Sequence, residues 1–130
     1  MSDPTRAISI IQPWAWLISR GIKPVENRTW LTKFRGPVYI HASKRLSLDE
    51  YFKAWSLLHS VMPGELTLPV MSSLPRGALV GVANITDCVT EHSSPWFFGP
   101  YGFVMEDARA IPPIPMKGRL GVWRIDNESQ

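Results

Sequence analysis

Twelve prolines in a chain of 130 residues limit how far any regular element can run. Proline lacks a backbone N–H and fixes φ, so it opens helices, ends them, or interrupts a sheet ladder. Pro13 suits the first position of a helix, where the missing N–H is not needed. Pro24 keeps the segment around it extended. Met62–Pro75 is punctuated by prolines and reads as loop, Pro95 and Pro100 bracket an aromatic stretch, and Pro112, Pro113 and Pro115 argue against regular pairing across Ile111–Lys117. The elements between these breaks are short.

Ala7–Ile11 reads as an apolar strand. Trp14, Leu17 and Ile18 keep helical spacing over Pro13–Arg20, and Gly21 can close that helix in a left-handed cap. Lys23–Trp30 is extended. Pro37–Ser43 alternates, with Val38, Ile40 and Ala42 on one face and Tyr39, His41 and Ser43 on the polar one. Ser47 and Glu50 form a capping box for a second helix whose buried face is expected to hold Leu48, Tyr51, Phe52, Trp55 and Leu58. Gly77–Val89 is the longest strand, with Leu79, Ala83, Ile85 and Val89 on one face and Val80, Val82 and Cys88 on the other; Gly81 marks a bulge or a close backbone approach. Tyr101–Met105 and Leu120–Ile125 complete the set, and Met1–Arg6 and Asn127–Gln130 read as frayed ends. The order β-α-β-β-α-β-β-β predicts an α+β fold, a small barrel or curled sheet.

Apolar residues make up 45% of the chain and charged residues 19%, enough for the core of one domain spanning residues 1–130. The lone Cys88 excludes an intramolecular disulfide and sits in an alternating strand as a small hydrophobe. No apolar run reaches the ~18 residues of a membrane span, and no signal-peptide stretch opens the chain. A cytoplasmic protein away from membranes is the expectation. The net charge of +3 conceals an asymmetry. Residues 1–60 carry nine Lys/Arg and four Asp/Glu, whereas residues 61–130 carry five and seven. Between Arg20 and Arg45 seven bases accompany one acid, Glu26. Such a field attracts phosphates or other anions, or it is a solvated basic face.

Phosphate-loop, dinucleotide and nucleophile-elbow motifs are absent. His41, His59 and His92 are scattered, and Cys88 and His92 do not converge, so neither metal nor cofactor is expected. One constellation is more specific. Gln12-Pro13-Trp14-Ala15 opens the first helix, Gly21-x-Lys23-x-x-Glu26-x-Arg28-x-Trp30 follows, and Arg35-Gly36 leads into the strand ending at His41 and Ala42. In an extended segment Glu26, Arg28 and Trp30 share a face, while Lys23 needs a turn near Pro24 to join them. A carboxylate, a guanidinium and an indole on one face can read a base edge and stack on its ring. They can equally be an ion pair beside a core tryptophan. Trp14, Trp16, Trp55 and Trp123 fall on element faces and read as core. Trp96, Phe97 and Tyr101 lie in the proline-flanked loop, facing a ligand or closing the barrel end. Tyr39, His41 and Ser43 are either solvated or part of a cleft lining.

These residues, together with Pro115-Met116-Lys117-Gly118 and Trp123, resemble the ASCH domain (activating signal cointegrator homology) over about residues 7–126. The resemblance implies a PUA-like β-barrel of about six strands with two helices, and a cleft after the first helix for RNA or a nucleobase. One enzymatic branch of this family deacylates N4-acetylcytidine. Its lysine and arginine match Lys23 and Arg28, but Glu26 stands where it has threonine, and a carboxylate is no simple substitute for a hydroxyl nucleophile. Ribonuclease activity is ascribed to other stand-alone members.

The expected function is binding of single-stranded RNA, a nucleotide or a modified nucleobase in a basic cleft. Lys23, Arg28, Arg35 and Lys44 would meet phosphate or base oxygens, Glu26 would accept hydrogen bonds, and Trp14, Trp30 or Trp96 would stack. Gln12 and Lys117, from the two motif regions, and His41, at the strand end, complete the candidate lining. The alternative is a hydrolase of RNA or of a modified nucleoside, with Glu26 as general base and Lys23 as oxyanion partner. A further alternative is a protein-interaction module that uses the exposed aromatics.

Overall fold

The computed structural model describes residues 3–64 and 66–125. The expected frayed end Asn127–Gln130 lies outside the described residues, as do Met1 and Ser2. Six strands form one sheet: β1 (Arg6–Ile10), β2 (Val25–Arg28), β3 (Gly36–Ala42), β4 (Ala78–Val89), β5 (Tyr101–Pro115) and β6 (Val122–Arg124). Their order is β2-β5-β4-β3-β1-β6, curled as a half-barrel. β1 and β3 are parallel and every other pairing is antiparallel. Arg6 is not frayed but pairs with Arg124.

Helix α1 (Trp14–Ser19) follows β1 directly, with Pro13 as its cap rather than its first helical residue. It ends as its glycine requires. Gly21 has φ +73°, its N–H bonds the carbonyl of Ile18, and the N–H of Ile22 bonds that of Leu17. That pair of bonds is a Schellman motif, and it returns the chain toward β2. Ala15 and Ile18 of α1 pack with Ile8, Ile40 and Phe103 of the sheet. Leu17 faces a second cluster with Val25, Ala54, Leu58 and Trp96. Gly81 touches α1: a β-carbon there would lie 2.6 Å from Cβ of Ser19.

Helix α2 (Leu48–Val61) is capped by Ser47, whose side chain accepts from the N–H of Glu50. The expected buried face is only half buried. Ala54 and Leu58 are enclosed and Tyr51 packs beside them, but Leu48, Phe52 and Trp55 are exposed. The helix carries two adjacent apolar stripes, and the core covers one. No helix among the described residues is long and apolar enough to cross a membrane.

Two sheet expectations also change. β5 continues through Pro112, Pro113 and Pro115 instead of ending near Met105. Leu79 pairs with Ile114 and Gly81 with Ala110, so Ile111, Pro112 and Pro113 bulge opposite Val80. Beyond Met105, whose N–H bonds the Pro24 carbonyl, β5 has no second neighbour among the described residues, and prolines are tolerated at a bulge on a sheet edge. Irregularities along β4 also break the simple alternation. Val80, Ala83, Ile85 and Cys88 share one cluster, while Leu79 joins Ala7 and Trp123 in another.

Candidate functional site

The turn that brings Lys23 to Glu26 is present. The N–H of Lys23 still bonds the carbonyl of Leu17, and its side chain then turns back over β2. Nζ donates to the Val25 carbonyl at 2.6 Å and to Oε1 of Glu26 at 3.1 Å. Arg28 reaches Oε2 of the same carboxylate with Nε at 3.1 Å and Nη2 at 3.0 Å. Lys23 is 3% exposed and Glu26 8%. A buried carboxylate between two cations is a structurally balanced group, since each charge has a partner. The ammonium also lies 5.5 Å from the centre of the Trp14 ring.

This floor opens into a cleft of about 970 Å3 between β2, α1 and α2. Trp14 forms one wall, and its Nε1 donates to Oε1 of Glu50 at 3.3 Å, which ties the two helices together. Phe52 and Phe98 stand at the rim, 57% and 69% exposed. Asn27 fixes the loop that carries Phe98. Its Oδ1 accepts from the N–H groups of Phe98 and Gly99, and its Nδ2 donates to the Trp96 carbonyl. Lys23 and Lys53 face Glu26, Asp49 and Glu50, so the lining is not basic.

The other predicted site residues separate from this cleft. Gln12 is buried: Oε1 caps α1 by accepting from Trp16 N–H, and Nε2 donates to the Pro75 carbonyl. Trp30 packs edge-on against Phe103. Arg35 bonds the carbonyls of Thr32 and Phe34 and approaches Asp87 at 3.6 Å. Trp96 is 3% exposed in the second core cluster, so its ring offers no open stacking face. His41, Lys44 and Lys117 line a second cleft of about 910 Å3, together with Ser9, Arg76 and Arg119. His41 is buried, not solvated. Its Nε2 donates to the Met116 carbonyl at 2.7 Å, because a carbonyl can only accept, and its Nδ1 lies 3.0 Å from Oγ of Ser9. Away from both clefts, burial holds the Tyr39 hydroxyl above its ordinary pKa; Asp3 adds to the effect and Arg109 opposes it.

Phe52, Phe98, Asn27 and Glu50 were not singled out as site residues by the sequence. Phe98 had a usable signal, since it lies in an aromatic loop bracketed by prolines. Phe52 had the opposite signal, because its helical spacing resembles a core position.

Residues 8–110 match the ASCH domain family. The chain is a member of the ASCH domain family. It is 28% identical over 131 aligned residues to activating signal cointegrator 1 of Homo sapiens, and equally to that of Mus musculus. Each alignment covers 93% of this chain and 22% of the relative, so the chain spans about a fifth of those proteins' length. The matched ASCH residues contain the whole lining of the first cleft and stop short of Lys117 and Arg119 in the second.

Proposed function

We propose that this ASCH domain binds a nucleotide or single-stranded RNA, with one base inserted between Phe98, Phe52 and Trp14 above the Lys23–Glu26 pair. The carrying observation is the donor–acceptor pair at the cleft floor. Lys23 uses two of its three N–H bonds on Val25 and Glu26 and has one more to give. Oε1 of Glu26 takes only Lys23 among the described residues and has a second lone pair to offer. An N–H donor beside a carboxylate acceptor complements the amide and amidine edges of nucleobases, such as a ring nitrogen or carbonyl next to an amino group. The exposed phenylalanines supply stacking, about 1–3 kcal/mol per base.

Binding is favoured over hydrolysis by the same geometry. Among the described residues no hydroxyl or thiol is hydrogen-bonded to Glu26 or Lys23, so no side-chain nucleophile is activated at the floor. Titration of the four nucleosides and of short oligoribonucleotides, followed by tryptophan fluorescence and product analysis, tests the reading. Saturable quenching without new products is expected, weakened at least tenfold in Phe98→Ala. Equal binding by Phe98→Ala, or turnover of any ligand, would overturn it.

A further inference from the structure

A basic cleft exists, but it is not the one expected from the motif: of Lys23, Arg28, Arg35 and Lys44, only Lys44 lines it. Lys44, Arg76, Lys117 and Arg119 line the second cleft, and no carboxylate lines it with them. Among the described residues none of the four forms an ion pair. They come from three separated stretches: the segment after β3, the turn before β4, and the segment between β5 and β6. Like charges gathered from distant parts of a chain repel one another and need a counter-charge.

The cleft is also built on a fixed floor. Buried His41 holds the Met116 carbonyl, and Gly118 lies so close that a β-carbon there would be 2.8 Å from Nδ1 of His41. Oγ of Ser9 reaches the Arg119 carbonyl at 3.2 Å and accepts from Nε1 of Trp123 at 3.2 Å. Arg76 donates to the Lys44 carbonyl at 2.7 Å, which sets those two cations side by side. The lysine- and arginine-bearing segments are therefore held before any ligand arrives.

Ser9 joins the two clefts. Its carbonyl accepts from Arg28 at 2.7 Å, and Arg28 holds the Glu26 carboxylate at the floor of the first cleft. Its hydroxyl belongs to the second cleft. The first cleft lacks a net positive charge to attract a polyanion; the second has little but positive charge. We propose that the second cleft binds backbone phosphates of the same single strand whose base occupies the first. This rests on the base-binding reading above and adds the strand's path to it. An acidic protein segment would also match the charge, but it would give no reason for the two floors to share Ser9.

The test measures anisotropy of a labelled short oligoribonucleotide against salt concentration, alongside an uncharged nucleoside. For the wild-type chain, oligonucleotide affinity should fall steeply with salt while nucleoside affinity stays nearly flat. Lys44→Gln/Lys117→Gln/Arg119→Gln should flatten the log–log salt slope by about 2, at roughly 0.7 per lost phosphate contact. All three positions are exposed, and a circular-dichroism melt verifies that the variant folds. An unchanged slope would overturn the phosphate site and leave base binding intact. Loss of nucleoside binding in the wild type would instead remove the base-binding reading. Equal competition by polyglutamate would overturn the proposal in favour of an acidic protein partner.

Discussion

Arg28 donates to the backbone carbonyl of Ser9 at 2.7 Å while it clasps the Glu26 carboxylate with Nε and Nη2. Side chains on β2 thereby hold β1, although the two strands lie near opposite ends of the sheet order. The curl of the half-barrel makes this possible. Glu26 is thus both a structural counter-charge and the floor of a cleft.

Replacing Glu26 by Gln should therefore be costly before any ligand is considered. Lys23 and Arg28 would keep their positive charges, and buried Lys23 would lose its only carboxylate among the described residues. Breaking a buried pair by removing one partner costs about 3–5 kcal/mol. Urea unfolding should show a loss near the lower end of that range, because Gln still accepts one bond. A loss below about 1 kcal/mol would mean that the cluster is solvated in solution.

Asn27→Ala should release the loop that carries Phe98. Three hydrogen bonds disappear together, and the N–H groups of Phe98 and Gly99 lose their acceptor. Hydrogen exchange at those two amides should accelerate, with a global destabilisation of about 1–3 kcal/mol. Unchanged protection of both amides would contradict the pinning role.

Two neighbouring aromatics should behave oppositely. Trp96→Ala empties a buried site and should cost about 3–5 kcal/mol. Phe98→Ala removes an exposed ring and should change stability by less than about 0.5 kcal/mol. Thermal melts of the two variants decide the matter directly. Similar losses in both would mean that the loop packs differently.

Gly81→Ala should destabilise through overpacking by about 1–3 kcal/mol, since the added methyl meets Ser19. Ser19→Gly removes the colliding atoms, so the double variant should recover part of the loss. Additive losses in that double-mutant cycle would show that the contact is not the cause.

The chain order of the elements was legible because its punctuation is local. Gly21, Pro13 and the Ser47 cap each act within a few residues of themselves. Lys23, Glu26 and Arg28 were legible as a group for the same reason: a period of two and one turn bring them together. What was hidden depended on rotation and long-range approach. The spacing of α2 shows apolar stripes, but it does not say which one meets the core, so Phe52 and Trp55 looked buried. Irregularities in β4 shift the faces, so Val80 and Ala83 share a cluster against simple alternation. The charge field between Arg20 and Arg45 looked like one surface. In space Lys23 and Arg28 are occupied by Glu26, Arg35 lies by Asp87, and Lys44 joins Arg76, Lys117 and Arg119 from the acidic half of the chain.

The edge of β5 beyond Met105 carries a last consequence. A strand with one open side is a template on which another chain can pair and begin to aggregate. Pro112, Pro113 and Pro115 have no N–H to offer such a chain, and the bulge opposite Val80 bends the strand locally. A seventh strand would find donors missing at that end of the edge. Prolines that do not end β5 thus blunt its edge, and the segment after them carries Lys117 and Arg119 into the second cleft.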